Sequence, residues 1–95
     1  MYFIQRVLEA GKKIKASVIY VDEKFLTKFE FEFVKGDGNV QVIGFVSFTD
    51  ESHYGWQAPR SQLVPEFLSY EDAEERLMSY IVHPLWRVRF SKTYE

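Results

Sequence analysis

The chain contains no cysteine, only three prolines and five glycines, and two histidines among its 95 residues. Without cysteine there can be no disulfide, thiolate zinc site or cysteine nucleophile, and we expect a cytoplasmic protein. No apolar run approaches the ~18 residues of a membrane span, so we expect no membrane contact. The N-terminal apolar stretch is interrupted by Gln5, Arg6 and Glu9, which is not the pattern of a signal peptide.

An excess of charge of one sign is also missing, because twelve basic side chains stand against fourteen acidic ones, for a formal net charge of -2. Such a chain lacks the surplus of Lys and Arg on which non-specific DNA binding rests, and it is too balanced for an acidic mimic of DNA. It contains no repeats, linkers or low-complexity tracts. We therefore predict a single domain over residues 1–95.

Aromatic residues are abundant, at 18% of the sequence, and nine of them are phenylalanines. Three of these, in residues 29–33, are spaced two apart, which puts them on one face of a strand. A second alternating run covers residues 40–48, and Asp37-Gly38 between two such runs is typical of a β-hairpin turn. Counting outward from this turn predicts three facing pairs, namely Phe33–Val42, Phe31–Gly44 and Phe29–Val46.

Two further strands are predicted before the hairpin. Residues 14–21 alternate between apolar and mostly polar side chains, as in a strand with one buried face. Residues 2–10 fit either a strand face or a helical stripe, and we favour a strand because Gly11 and two lysines follow at once, as in a hairpin connection. The first half of the chain is thus predicted to be a four-stranded antiparallel meander.

One helix is predicted, and it begins at Ser69. A serine N-cap with Asp72 three residues later resembles a capping box, and acidic residues fill the first turns, where the helix dipole favours them. Asp72 and Arg76 have the spacing of a weak ion pair. Pro84 disfavours helical geometry in the preceding residue, so the helix should end near His83. The predicted apolar stripe comprises Ala73, Leu77, Tyr80 and Ile81.

Residues 86–90 alternate again and predict a short final strand with one apolar and one basic face. The predicted fold class is therefore α+β, an antiparallel β-meander of four to five strands with one C-terminal helix packed on the phenylalanine face. Residues 49–66 show neither period, and this segment is far longer than the ~4–6 residues of an ordinary connection. Such a loop is usually functional or hides a short strand, here in residues 54–57.

The candidate binding residues lie in this loop and on the sheet face opposite the predicted helix. Tyr54, Trp56 and Arg60 are the expected contact residues of the loop, because these residue types dominate interface hot spots. Ile43 and Phe45 point away from the phenylalanine face, and one helix cannot cover both faces. Either a protein partner, most simply a second copy in a homodimer, covers them, or a curled sheet buries them. We expect a small non-enzymatic protein-interaction or regulatory domain.

Two other functions compete with this hypothesis. A small enzyme would use His53 as a general base, although no nucleophile motif accompanies it. The two histidines lack metal-ligand spacing, and we expect neither a metal nor a cofactor. No stretch carries the signature of a known family. A lysine-bearing sheet face with aromatic residues would instead suit single-stranded nucleic acid, despite interleaved carboxylates, through Lys13, Lys15, Lys24, Lys28, Phe3, Tyr20 and Phe25.

Overall fold

The computed structural model of the protein describes residues 1–22, 25–50 and 60–93. The fold is α+β, and an antiparallel sheet carries the C-terminal helix on one face, as predicted. The described residues form two helices and six strands, one helix and one strand more than the upper prediction. In chain order these are α1 (Phe3–Glu9), β1 (Lys12–Asp22), β2 (Phe25–Lys35), β3 (Val40–Asp50), β4 (Ser61–Gln62), β5 (Glu66–Leu68), α2 (Tyr70–Val82) and β6 (Arg87–Lys92).

The sheet has the strand order β4-β3-β2-β1-β6, and β5 also pairs with β3. Its centre is the predicted hairpin, whose register is confirmed: Phe33 faces Val42 and Phe31 faces Gly44. At the turn, the Gly36 N–H donates to the Asn39 carbonyl at 3.0 Å, and Gly38 adopts a φ of +73° that favours glycine. After α2, the chain returns to the sheet and β6 pairs with β1, so the last strand lies next to the first strand.

The strand predicted for residues 2–10 is wrong, because this segment forms helix α1. The helical stripe prevails since it buries Ile4 and Leu8 against the rest of the core. Gly11, the presumed hairpin residue, instead ends the helix with a φ of +78°, and its N–H donates to the Leu8 carbonyl. A second helix therefore shares the phenylalanine face with α2.

Helix α2 begins as predicted, with Ser69 as its N-cap. The Ser69 hydroxyl accepts a hydrogen bond from the Asp72 N–H at 3.1 Å, and the helix ends at Val82 with His83 as C-cap. Ala73, Leu77 and Tyr80 are buried. Ile81 is not part of the buried stripe, because α1 supplies the additional cover and leaves Ile81 44% exposed.

Replacing Ser69 by alanine should lower the free energy of unfolding by about 0.5–2 kcal/mol, because the Asp72 N–H at the helix start loses its acceptor. Urea denaturation of the variant and the wild type measures this difference. Ser69→Asp keeps an acceptor at the N-cap and should restore most of the loss. Equal stability of the alanine variant and the wild type would mean that the cap is not part of the folded helix in solution.

The core lies between the two helices and one end of the sheet. The sheet contributes the hairpin residues closest to the turn and the part of β1 that faces them. The helices contribute the buried residues of α1 and α2. Trp86 closes the side next to β6, where its ring stacks on Tyr80 at a centroid distance of 4.1 Å. The fully or almost fully buried members include Ile4, Leu8, Ile14, Ala16, Phe33, Val40, Val42, Ala73 and Leu77.

The segment predicted to lack regular structure contributes strands β4 and β5 at its end and just beyond it. β5 also changes the predicted pairing of Arg76, whose guanidinium donates to both carboxylate oxygens of Glu66, at 3.1 and 3.3 Å, instead of pairing with Asp72. This hydrogen bond holds the pKa of Glu66 below its usual value. The pair thereby links β5 to α2. The strand suggested for residues 54–57 lies outside the described residues.

Candidate functional site

The sheet face turned away from the helices is strongly basic, and we call it the basic face. Alternation in β1, β2 and β6 places lysine, arginine and glutamate side chains there, and Arg60 lies over the same surface. Among the described residues, six cations and two anions give this face a net charge of +4, although the whole chain carries -2. These charged residues are Lys13, Lys15, Lys28, Arg60, Arg87 and Arg89, with Glu30 and Glu32.

The helices carry the opposite charge. Five acidic and two basic side chains in α1 and α2 give the helix layer a net charge of -3. Lys12, Lys35 and Lys92 lie on the helix side of the sheet and offset this negative charge, so the near-neutral composition conceals one basic face. Because charge of one sign concentrated on one face steers charged partners, this distribution matters more for recognition than the total charge.

The two glutamates of the basic face lie in its middle and are surrounded by cations. Glu32 lies 3.4 Å from Lys15, and Glu30 lies 3.5 Å from Arg60 and 3.9 Å from Lys28. All five side chains retain solvent access, and exposed pairs of this kind contribute only ~0–1 kcal/mol to stability. The pairs nevertheless order the centre of the face and leave its uncompensated positive charge on the β6 side.

Three of the five predicted binding residues come together on the basic face. The Arg60 guanidinium lies 4.4 Å from the centroid of the Phe45 ring, within the range of a cation–π contact, and Ile43 lies two residues away along β3. Ile43 and Phe45 are partly buried by the chain itself. The other two residues, Tyr54 and Trp56, and the candidate base His53 lie outside the described residues.

The residues proposed for nucleic-acid stacking do not share a surface. Lys13, Lys15 and Lys28 lie on the basic face, whereas Tyr20 and Phe25 lie on the helix side of the sheet. Phe3 belongs to α1, and Lys24 lies outside the described residues. The phenylalanine that does lie on the basic face, Phe45, has Arg60 above its ring.

The cavity on the basic face has a volume of about 50 Å³ and is lined by Lys15, Lys28 and Arg60, among others. Small-molecule sites usually measure ~300–1,000 Å³, so this cavity does not enclose a substrate of that size. Within residues 1–22, 25–50 and 60–93, no three His, Asp or Glu side chains are placed to hold a metal ion. His83 is exposed, and its Nδ1 accepts a hydrogen bond from the Leu85 N–H at 3.2 Å.

A second surface, which sequence reasoning missed, lies at the end of the sheet far from the helices. We call it the distal end. There β1, β2 and β3 continue past the last core row, in residues 19–22, 25–28 and 47–50. Five large apolar side chains there are between 43 and 77% exposed. Tyr20, Phe25 and Phe48 lie on the helix side of the sheet, and Ile19 and Val21 lie on the opposite face.

On its helix side, the distal end is not covered by the helices of the described residues, because the strands are longer than the helices. Each central strand has eleven residues, whereas α2 has thirteen. At ~3.3 Å per strand residue and ~1.5 Å per helix residue, the strands extend to about 36 Å and the helix to about 20 Å. The element lengths alone could have indicated this surface, because each could be read approximately from the sequence.

The distal end also has one strand edge without a strand partner in the described part of the chain. β6 pairs with β1 only as far as Ser17, so residues 18–22 of β1 have no neighbouring strand on that side among the described residues. On the helix side of the distal end, the Tyr20 ring meets the Phe29 ring edge to face at 6.1 Å. Apolar side chains and open backbone groups therefore occur together there.

Among the described residues, no helix has both the length and the apolar character needed to cross a membrane. Comparison of the chain with protein-family models, with curated proteins and with solved structures finds no match. The two surfaces that can bear a function in the described residues are therefore the basic face and the distal end.

Proposed function

We propose that this chain is a small non-enzymatic protein-interaction domain that forms a homodimer through the distal end. The observation that carries the proposal is the group of three exposed aromatic side chains on the helix side of the distal end, Tyr20, Phe25 and Phe48. An aromatic side chain has ~150–250 Å² to bury. With roughly half of that area exposed on each, the patch reaches the size of a few hundred Å² at which exposed apolar surface marks an interaction site.

A second copy is the simplest partner for this surface. Two-fold symmetry places the same patch on both sides of the interface, so the aromatic residues of one chain meet those of the other. The β1 edge beyond Ser17, which has no strand beside it among the described residues, adds backbone groups that a neighbouring strand can pair with. Neither feature requires a substrate pocket.

Sedimentation equilibrium over a range of micromolar concentrations tests the homodimer. The wild type should show a concentration-dependent dimer, and the double variant Phe25→Ser/Phe48→Ser should remain a monomer, because two of the exposed aromatics of the patch are gone. Both side chains are more than half exposed, so the fold should survive; far-ultraviolet circular dichroism checks this.

Phe67→Ser is the matched control. Phe67 is also a largely exposed phenylalanine, at 63%, but it lies on β5. This variant should dimerise like the wild type. A wild type that is strictly monomeric at the highest concentration, or a control that disrupts the dimer as strongly as the double variant does, would contradict the proposed interface.

Single-stranded nucleic-acid binding is the second candidate, and the net charge of +4 on the basic face favours it. Two features argue against it. Glu30 and Glu32 occupy the middle of the face, and among the described residues the aromatic surface that such modules use for stacking is limited to Phe45, beneath Arg60. Protein binding therefore remains the preferred function.

A further inference from the structure

Strand β6 forms one edge of the sheet in the described part of the chain. The Thr93 N–H donates to the Gly11 carbonyl at 3.0 Å, which fixes the phase of the pairing between β6 and β1. Backbone groups in an antiparallel pair point alternately toward and away from the neighbouring strand. The N–H and C=O groups of Val88, Phe90 and Lys92 therefore point away from β1, toward an open edge.

The side chains of β6 form a second alternating pattern along this edge. Arg87 and Arg89 lie on the basic face, whereas Val88 and Phe90 lie on the helix side. Phe90 is 45% exposed, and its ring meets the Phe3 ring edge to face at 5.9 Å. The edge thus offers positive charge on one face and apolar surface on the other.

The charge of Arg89 is left uncompensated by its neighbour. Arg89 faces Lys15 across the β1–β6 pair, and like charges directly opposite each other destabilise a sheet. Lys15 is paired with Glu32, at 3.4 Å, on its other side. No carboxylate of the described residues forms an ion pair with Arg89. One of the two terminal nitrogens of Arg87 donates to the Pro84 and Trp86 carbonyls, and its remaining N–H groups can still serve as donors.

The β1–β2 pair shows which strand chemistry matches such a pattern. There Lys15 faces Glu32 on the basic face, while Ala16 faces Phe31 on the helix side. β2 alternates glutamate and phenylalanine. Its glutamates therefore lie beside β1 on the basic face, and its phenylalanines lie beside the apolar side chains of β1 on the helix side. β6 presents the same basic and apolar alternation as β1, but within residues 1–22, 25–50 and 60–93 no strand lies along its outer edge.

We propose that the outer edge of β6 binds an extended segment of a partner protein in which acidic and apolar residues alternate, so that this segment adds a strand to the sheet. Its backbone pairs with the outward groups of Val88, Phe90 and Lys92, and its carboxylates lie opposite Arg87 and Arg89. Its apolar side chains lie against Val88 and Phe90. A second copy of β6 is disfavoured as the occupant, because the arginines of the two copies would meet on one face.

A suitable probe is the blocked peptide acetyl-Thr-Val-Glu-Val-Glu-Val-Thr-amide, titrated into the isotope-labelled full chain and followed by nuclear magnetic resonance. The amides of Val88, Phe90 and Lys92 should shift and become protected from hydrogen exchange. The same peptide with lysine in place of glutamate is the first control and should bind at least roughly tenfold more weakly.

Two variants separate the backbone contribution from the charge contribution. Val88→Pro removes an N–H that points outward, at an edge position that tolerates proline. This variant should bind the acidic peptide roughly tenfold or more weakly than the wild type does. The double variant Arg87→Glu/Arg89→Glu should no longer bind the acidic peptide and should bind the lysine peptide instead. Arg6→Glu, an equal change of sign per residue on helix α1, should leave binding unchanged.

Three results would overturn the proposal. The first is equal binding of the acidic and lysine peptides, and the second is full affinity of a folded Val88→Pro variant, since neither is compatible with a charge-matched added strand. The third is a single-stranded oligonucleotide that binds more tightly than the peptide and shifts the same amides. Loss of the homodimer at the distal end would leave all of these outcomes unchanged, because β6 lies outside that surface.

Discussion

Replacing Phe33 by alanine should lower the free energy of unfolding by about 3–5 kcal/mol, the usual loss for a fully buried aromatic side chain. Phe33 has no exposed surface and lies between Ile14 on β1 and Val42 on β3. Its ring is 6.0 Å from that of Tyr80, on the α2 side of the core. The helices rest on this row of the sheet, so a cavity there cannot be filled without moving an entire helix.

Urea denaturation at a protein concentration that keeps the chain monomeric measures the loss. Phe67→Ala is the control, since the same substitution at a side chain that is 63% exposed should change stability by less than about 1 kcal/mol. If both variants lose the same stability, the core is not centred on the phenylalanine row. Such a result would contradict the face assignment on which the distal end also depends.

The hairpin register could be predicted from the sequence because its determinants are local. Alternating phenylalanines select one face, and a one-residue slip would place the whole set in water. The turn residues Asp37 and Gly38 then fix which residues face each other. At the hairpin the turn and the period of two agreed and the prediction was correct, and the prediction at Ser69 was correct because a cap is defined by its immediate neighbours.

Helix α1 could not be predicted in this way, because residues 2–10 are compatible with two periods. What favours the helix is non-local: the Ile4 N–H, at the start of α1, donates to a carboxylate oxygen of Glu74 in α2 at 2.8 Å. That contact joins residues 70 positions apart. Strands β4 and β5, with two and three residues, are too short to show any period.

The basic face was only partly predictable. The sequence predicted one basic side for the last strand and lysines along β1, but not that β6 would lie next to β1 and join the two sets. Strand order in a sheet depends on contacts between distant segments, which single-strand patterns do not encode. The distal end differs, because the lengths of the strands and helices were available. The consequence that eleven-residue strands are longer than a thirteen-residue helix was not drawn from the sequence.

Gly44→Ala tests the closest packing in the sheet and should lower the free energy of unfolding by about 1–2 kcal/mol. A methyl group at Gly44 would lie 2.8 Å from Cε1 of Phe31 and 3.1 Å from Cδ1 of Leu63, so a side chain must move. Overpacking typically costs ~1–3 kcal/mol, while removing a glycine from a strand returns ~0.5–1 kcal/mol. The clash is therefore expected to dominate.

The Phe31 ring has little freedom to give way, because Tyr80 and Trp86 each lie 5.9 Å from it, centroid to centroid. Shortening this side chain should relieve the clash, so in a double-mutant cycle Gly44→Ala should be less destabilising in a Phe31→Leu background. A coupling of about 0.5–3 kcal/mol is expected for residues in direct contact. Strictly additive losses would show that the methyl group never meets the ring, and the aromatic cluster of Phe31, Tyr80 and Trp86 would then have to be looser than its ring distances indicate.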